Sequence, residues 1–568
     1  MSKNPLSQPP AQKLFPVSIQ AAYSPNVVSY ELTGIGQTAV PGLDRAADYY
    51  KRAGELKNEK RFAEALAAYE AAITLKPDYT EAQNGRAIVL ATLNRLGEAV
   101  AGFDRAIALK PDYAEAYNNR GIVLQELGRL DEALASFDKA TELQPANAFA
   151  CNNRGTALYE LKRFDEALAS HDKAIALKQD YAEAHYNRGI VLHALDRLDE
   201  ALTSFDQAIA LKPGYGAAHN NRGTVLHDLQ HLDEALQAFG MAITLTGGFA
   251  EAYLNQSYCL LQMGRFEQGW RLHEWRKKLE KPVGNRSFPQ PLWLGREDIG
   301  GKTLFVHCEQ GLGDTMQFCR YAALLKERGA SVAMSVQAPL HRLLSRSLPH
   351  IQILKSEEVP EAFNFHCPLM SLPLACGTTL ANVPADTPYI FADESLRKAW
   401  EERLPPGTKP RIGAVWSGST KHRNDRNRSV GLHAFAPLFS IDAHWISLHN
   451  ELADGDALLL RQFPQISHYG DALGDFAETA AAVAALDLVV TVDTSVAHLA
   501  AAMGKPVWIL LAYHPDWRWL AERDDSPWYP SVRLFRQDAT RSWNDVIARV
   551  DAALRGLVHD HAGKPTLE

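Results

Sequence analysis

The sequence predicts an α-helical repeat superhelix followed by parallel α/β layers. Three observations carry this. The first half repeats with a period of 34 residues, the period vanishes near residue 300, and short β-branched runs then alternate with helical stretches.

The chain of 568 residues is 46% hydrophobic and 22% charged, with a formal net charge of -8, which argues against a general nucleic-acid binder. Residues 1–43 carry scattered prolines and polar residues but no apolar core with a small-residue cleavage site, so they read as a flexible leader and not a signal peptide. No stretch approaches the ~18–20 apolar residues that a membrane span needs, and a cytoplasmic address is expected. Six cysteines lie scattered without paired spacing, which suits reduced thiols rather than a zinc site or a disulfide framework.

The repeats occupy residues 44–283 as about seven units, most easily read from Arg52, Arg86, Arg120, Arg154, Arg188 and Arg222. Beside each arginine stands a small residue (Ala53, Ala87, Gly121, Gly155, Gly189, Gly223), and in the second half of each unit a large ring (Tyr69, Phe103, Phe137, His171, Phe205, Phe239) between two alanines. Prolines such as Pro77, Pro111, Pro145 and Pro213 end the units, because proline cannot continue a helix. Each unit is therefore a helical hairpin that needs its neighbours to bury its apolar face.

Within the first helices an asparagine recurs in step: Asn119, Asn153, Asn187, Asn221 and Asn255. A row of amides, each a donor and an acceptor, can grip an extended peptide backbone, and it can equally cross-link neighbouring helices. The repeated arginine is expected to be a structural partner of a glutamate such as Glu132 or Glu166. The last segment, Gly264 to Lys278, alternates Trp270 and Trp275 with arginines and is expected to form a buried seam to the next domain.

Beyond residue 300, the strand-like run Thr303 to His307 leads through Gly311-Leu312-Gly313-Asp314 into a helical stretch, which places Asp314 beyond a strand's C-terminal end, where such sheets bind ligands. The run lacks the third glycine of the dinucleotide fingerprint, so a nicotinamide enzyme is disfavoured. After the Pro405-Pro406-Gly407 break, a second strand ending at Trp416 is followed by Ser417, Gly418 and Ser419 and a loop with Lys421, Arg423, Arg426 and Arg428, natural partners of phosphate oxygens. A third strand, Leu488 to Val492, runs into Asp493-Thr494-Ser495-Val496-Ala497-His498. Hydroxyls and unpaired N–H groups at that helix start make an anion site suited to a diphosphate.

The repeats resemble the tetratricopeptide family. Gly311-Leu312-Gly313-Asp314 together with Asp493-Thr494-Ser495-Val496-Ala497-His498 resembles the ADP-heptose heptosyltransferase (glycosyltransferase family 9) superfamily, over roughly residues 270–555 and including Asp516-Trp517-Arg518-Trp519. The combination is similar to bacterial tetratricopeptide-repeat glycosyltransferases, and in architecture it resembles protein O-linked N-acetylglucosamine transferases. The resemblance implies two Rossmann-like domains in the GT-B arrangement, at 284–402 and 403–568. It further implies a nucleoside-diphosphate sugar as donor, no cofactor and no catalytic metal. By the same resemblance Asp314 is the general base, and Gly311, Gly313, Ser417, Ser419, Lys421, Arg428, Asp493, Thr494, Ser495, Val496 and His498 bind the donor. The family usually has glycine where Ser495 stands, and the first α/β region is short for an acceptor domain. Three readings stay open: transfer to a hydroxyl on a protein recruited by the repeats, a scaffold with an inactive transferase domain, and transfer to a glycan or glycolipid.

Overall fold

The computed structural model describes residues 43–281, 286–419, 425–453 and 455–562; the expected leader and Lys421 lie outside them. The chain divides into two compact units, one ending at Leu226 and the other running from His227 to the C-terminus.

In the first unit, helices alternate in hairpins: Leu43–Asn58 with Phe62–Leu75, Thr80–Thr92 with Leu96–Leu109, Ala114–Glu126 with Leu130–Leu143, Ala148–Glu160 with Phe164–Leu177, and Ala182–Ala194 with Leu198–Leu211. The small residues seat the rings. A Cβ added at Gly121 would lie 2.6 Å from Phe137, at Gly155 2.6 Å from His171, and at Gly189 2.7 Å from Phe205. The turn inside each hairpin passes through a left-handed residue whatever its type: φ is 61° at Lys60, 58° at Asn94, 74° at Gly128, 61° at Lys162 and 59° at Asp196.

The repeated arginine is a structural partner as expected, paired with a glutamate at Arg86 (Glu70) but not with Glu132 or Glu166. Arg120 donates to Asp104 at 2.7 Å and to Ser136 at 2.7 Å, so it ties the preceding hairpin to both helices of its own, and Arg154 does the same with Asp138 and Ser170. Glu132 and Glu166 instead pair with Arg129 and Arg163 at the start of their own helices.

The asparagine row is also inside. Asn119, Asn153, Asn187 and Asn221 are buried. Asn153 Nδ2 donates to Asn118 Oδ1 at 3.0 Å, Asn187 Nδ2 to Asn152 Oδ1 at 3.0 Å, and Asn221 Nδ2 to the Tyr186 hydroxyl at 3.0 Å. The expectation of a peptide-gripping ladder is corrected for Asn153, Asn187 and Asn221, which are buried and bridge successive hairpins because the residue one place earlier in the preceding repeat supplies an acceptor; Asn119 is buried without such a bridge and Asn255 is half-buried.

The second unit begins with the last helices of the array, Leu232–Leu245, Ala250–Gln262 and Phe266–His273, then a 3-10 turn at Glu274–Lys278. They belong with the α/β part because Trp270 is buried in its core, with ring centroids 5.2 Å from Trp517 and 6.3 Å from Phe318. Trp275 instead stacks on Tyr253 at 3.9 Å within the array. Arg276 is buried and paired with Glu309 at 2.8 Å and Glu274 at 2.8 Å.

Two parallel sheets follow. The first orders its strands β3-β2-β1-β4, with β1 Thr303–His307, β2 Ser331–Val336, β3 Gln352–Lys355 and β4 Phe365–Pro368. The second orders them β10-β9-β8-β5-β6-β7, with β5 Arg411–Val415, β6 His444–Ser447, β7 Ile466–His468, β8 Leu488–Val492, β9 Val507–Leu511 and β10 Val532–Arg536. Strands β5, β8 and β9 are apolar and buried almost throughout, as expected of a sheet covered on both faces. In each sheet the strand order reverses once, at β1/β4 and at β5/β8. Crevices for ligands open at such switch points, outside the strands' carboxyl ends.

Candidate active site

Four strand ends build the site. After β1, Gly311 precedes the helix Leu312–Phe318, and its N–H donates to Asp314 Oδ2 at 2.6 Å, which fixes the carboxylate over the first turn. Gly313 has a packing reason to be glycine: a Cβ there would lie 2.7 Å from His498 Cδ2, so the helix rests directly on the helix Ser495–Ala502 that follows β8.

After β5, Ser417 Oγ lies 3.3 Å from His449 Nε2, and Ser419 is exposed at the edge of residues 420–424, outside the described part. The chain returns through the short helix Asp425–Arg428, and Arg428 Nη1 donates to the Asp493 carbonyl at 2.9 Å. The basic loop and the tip of β8 are thus joined.

After β8 come Asp493 and Thr494, the latter in extended conformation as the N-cap; its hydroxyl makes no capping bond and lies 3.2 Å from the Thr491 hydroxyl. The amides of Ser495 and Val496 have no intrahelical acceptor, as at any helix start, so they and the positive helix end point into the crevice. His498 does not join them. It is buried, stacked on Trp519 at 5.2 Å with Nδ1 3.0 Å from the Tyr529 hydroxyl, and burial, aided by Arg518, lowers its pKa to about 3. The expected donor contact of His498 is corrected: its ring is buried against Trp519 and Tyr529, and Gly313 packs against it.

After β9 a loop carries Asp516 and a 3-10 turn at Trp517–Trp519, with Arg518 among the acidic groups. Arg518 pairs with Asp314 through Nη2, with Asp516 at 2.8 Å through Nη1, and with Gln317 Oε1 at 2.9 Å through Nε. The loop is fastened to the last helical hairpins. His514 pairs with Asp228 at 2.7 Å, and the Ala521 N–H donates to the Gln262 carbonyl at 3.0 Å.

The electrostatics separate the three carboxyls. Burial raises Asp314, with Arg518 pulling it back and Asp516 pushing it further up. Burial and then Asp516 raise Asp493. For Asp516 burial acts against ionisation, but the charge and donors of Arg518 hold it below the ordinary carboxylate range. Asp516 is therefore the firm anion of the group, whereas Asp314 is a stronger base than a solvated aspartate.

Sequence reasoning singled out Asp314, Asp493 and the helix start, and the structure brings them together. It gave no role to Asp516 or Arg518, although the unusual run Asp516-Trp517-Arg518-Trp519, following a buried strand, was visible.

Helical hairpins leading into two parallel sheets with charged groups at the switch points define a helical repeat protein carrying a C-terminal parallel α/β region. Comparison with known families is more specific. Models described as tetratricopeptide repeat match residues 49–79, 114–147, 182–215 and 199–248, and one described as TPR repeat matches 89–128 and 155–196. The model for glycosyltransferase family 9 (heptosyltransferase) matches residues 474–544, which hold Asp493–His498 and Asp516–Trp519. The chain therefore carries tetratricopeptide repeats in its N-terminal half and a glycosyltransferase family 9 domain near its C-terminus.

Among curated proteins it is similar to Protein FlbA of Caulobacter vibrioides, 25% identical over 325 residues, covering 52% of this chain and 53% of that protein. The chain thus spans about half the length of this relative. Among solved structures it is similar to YrrB, described as a TPR protein with an unusual peptide-binding site (28% identity, 33% of this chain and 95% of that one, TM-score 0.29). It is also similar to PilW, a type IV pilus biogenesis factor (22% identity, 35% and 92%, TM-score 0.34).

Proposed function

We propose that this protein transfers a sugar from a nucleoside-diphosphate sugar to a hydroxyl acceptor, with a protein recruited by the repeats as the acceptor or its carrier. The observation that carries the reading is the convergence of Asp314, its pKa raised by burial, with the open helix start at Thr494–Val496. In the reaction the acceptor oxygen bonds to the anomeric carbon and its proton passes to Asp314. The bond from that carbon to the phosphate oxygen breaks, and the diphosphate leaves with the electron pair. Charge on the leaving oxygens is met by the Ser495 and Val496 amides, by the helix end and by cationic side chains, Lys421 among them. No metal ion is assigned to this step. With the buried asparagines bridging hairpins, protein recruitment falls to other surfaces of the array.

The test is to incubate the purified full chain with a panel of nucleotide sugars, following donor consumption by mass spectrometry and binding by thermal shift. A donor that raises the melting temperature and is consumed by wild type, with turnover falling ~10²–10⁴-fold in Asp314→Asn, supports the reading. Unchanged turnover in that variant removes Asp314 as the base, and binding without any turnover favours a sensing or scaffolding role.

A further inference from the structure

Arg518 makes one bond from each of its three nitrogens, and the acceptors differ in kind. Gln317 Oε1 holds Nε and Asp516, on the same loop as Arg518, holds Nη1, whereas Nη2 meets Asp314, one turn before Gln317 on the same helix and the residue assigned as base. A guanidinium on the Asp314 oxygen lowers its basicity and occupies one of the lone pairs an acceptor hydroxyl would use.

The charge balance sharpens the problem. Asp314, Asp493 and Asp516 sit around Arg518 and Arg428, and Arg428 already reaches the Asp493 carbonyl and lies 3.4 Å from Asp425. An incoming diphosphate adds further negative charge to a place where the described carboxylates already outnumber the guanidiniums. Beside the helix start and Lys421, which the transferase reading already gives it, the diphosphate competes with these carboxylates for the nearest guanidinium. Asp516 shares the loop of Arg518 and bonds it through both Nη1 and the backbone N–H, so the pair at Asp314 is the one that can part.

We propose that Arg518 is shared in turn: in the free protein it masks Asp314, and when a donor binds, its Nη2 swings to the diphosphate and leaves Asp314 free to take the acceptor's proton. The inference rests on the transferase reading above. Asp314 keeps its aim during the exchange, because its other oxygen stays on the Gly311 N–H. The base is thus unmasked only in the donor complex, which orders the two substrates.

Of the other groups around Asp314 and Arg518, Asp493 has its pKa raised to about 6 by burial and then by Asp516, so it titrates near neutral pH, whereas Tyr258 and His498 do not. Asp516 lies on the same loop as Arg518. Tyr258, from the helix Ala250–Gln262, is held as a phenol with its pKa pushed up to about 12 by burial. His498, across Gly313, stays neutral with a pKa of about 3, lowered chiefly by burial.

The experiment is calorimetric titration of the full chain with UDP, GDP and ADP, comparing wild type with Asp314→Asn and Arg518→Lys, folding being checked by circular dichroism. If the guanidinium is exchanged, Asp314→Asn binds the preferred diphosphate about tenfold or more tightly although it has lost the carboxylate assigned as base, since the competitor for one charge-assisted hydrogen bond is weakened. Arg518→Lys weakens the same binding by a similar factor, because an ammonium cannot keep Gln317 and Asp516 and reach a phosphate as well. Equal or weaker binding by Asp314→Asn overturns the exchange while leaving the transferase reading intact, as does unchanged affinity in Arg518→Lys. Absence of binding of all three diphosphates to every form removes the phosphate site itself and the exchange with it.

Discussion

Replacing His171 by phenylalanine offers a quantitative check on the repeat packing. His171 occupies the position filled by Phe137 and Phe205 in the flanking repeats, and its ring lies against Gly155 as theirs lie against Gly121 and Gly189. Burial lowers its pKa from 6.5 to about 3, so the folded protein holds it neutral while the unfolded chain takes up a proton below pH 6.5. A depressed histidine pKa means stability that is present above the unfolded value and lost as pH falls from 6.5 towards 3. At one pKa unit per 1.36 kcal/mol, the loss on going from pH 7 to pH 5 comes to ~2 kcal/mol. Phenylalanine cannot take the proton. It also leaves no orphan where His171 Nδ1 met Asn152 Oδ1, because that oxygen still accepts from Asn187 at 3.0 Å. Native-state hydrogen exchange of the helix Phe164–Leu177 is therefore expected to show about thirtyfold more protection in His171→Phe than in wild type at pH 5, and a difference of less than about twofold attributable to this group at pH 7. The same ratio at both pH values would refute the assignment of His171 as a buried, neutral packing residue.

Other outcomes follow from the same structure. Gly313→Ala forces a methyl to 2.7 Å from His498, and overpacking of this kind costs ~1–3 kcal/mol; a melting temperature equal to wild type would show that the two helices separate easily. Replacing Asn153, Asn187 and Asn221 together by alanine removes three inter-hairpin bonds, each worth ~0.5–1.5 kcal/mol, so thermal unfolding of the array should shift clearly downward; undiminished stability would contradict their bridging role. Donor turnover should survive EDTA, since the proposed reading meets the charge on the leaving diphosphate with the helix start at Thr494–Val496 and cationic side chains; strict dependence on added manganese or magnesium would overturn that assignment.

The period of 34 made the hairpins legible because packing against a neighbour constrains residue type at the contact, as at Gly121 and Phe137. The hairpin turn was not legible. Its left-handed residue is Lys60, Asn94, Gly128, Lys162 or Asp196 in turn, because solvent lets a backbone requirement be met by many side chains at a modest cost. The asparagine row could be seen but not oriented, since a peptide-gripping amide and a helix-bridging one present the same letter at the same spacing. What decides is the partner one repeat and one residue away. Asp314 and Thr494 were readable from the strand, turn and helix around them. Burial decided against His498, and Arg518 belongs to the site through contacts with Asp314 and Gln317 that are far away in sequence.

The fastening of the Arg518 loop to Asp228 and Gln262, with Trp270 set among Trp517 and Phe318, bears on where this polypeptide can be divided. A fragment cut at residue 284, where the sequence changes character, would strip the Arg518 loop of both its anchors and uncover a tryptophan-sized hollow against Phe318 and Trp517. Lengthening or shortening the array at its amino end disturbs none of these anchors. The early hairpins of this chain can therefore be varied without touching those anchors, whereas the final ones form one block with the α/β part.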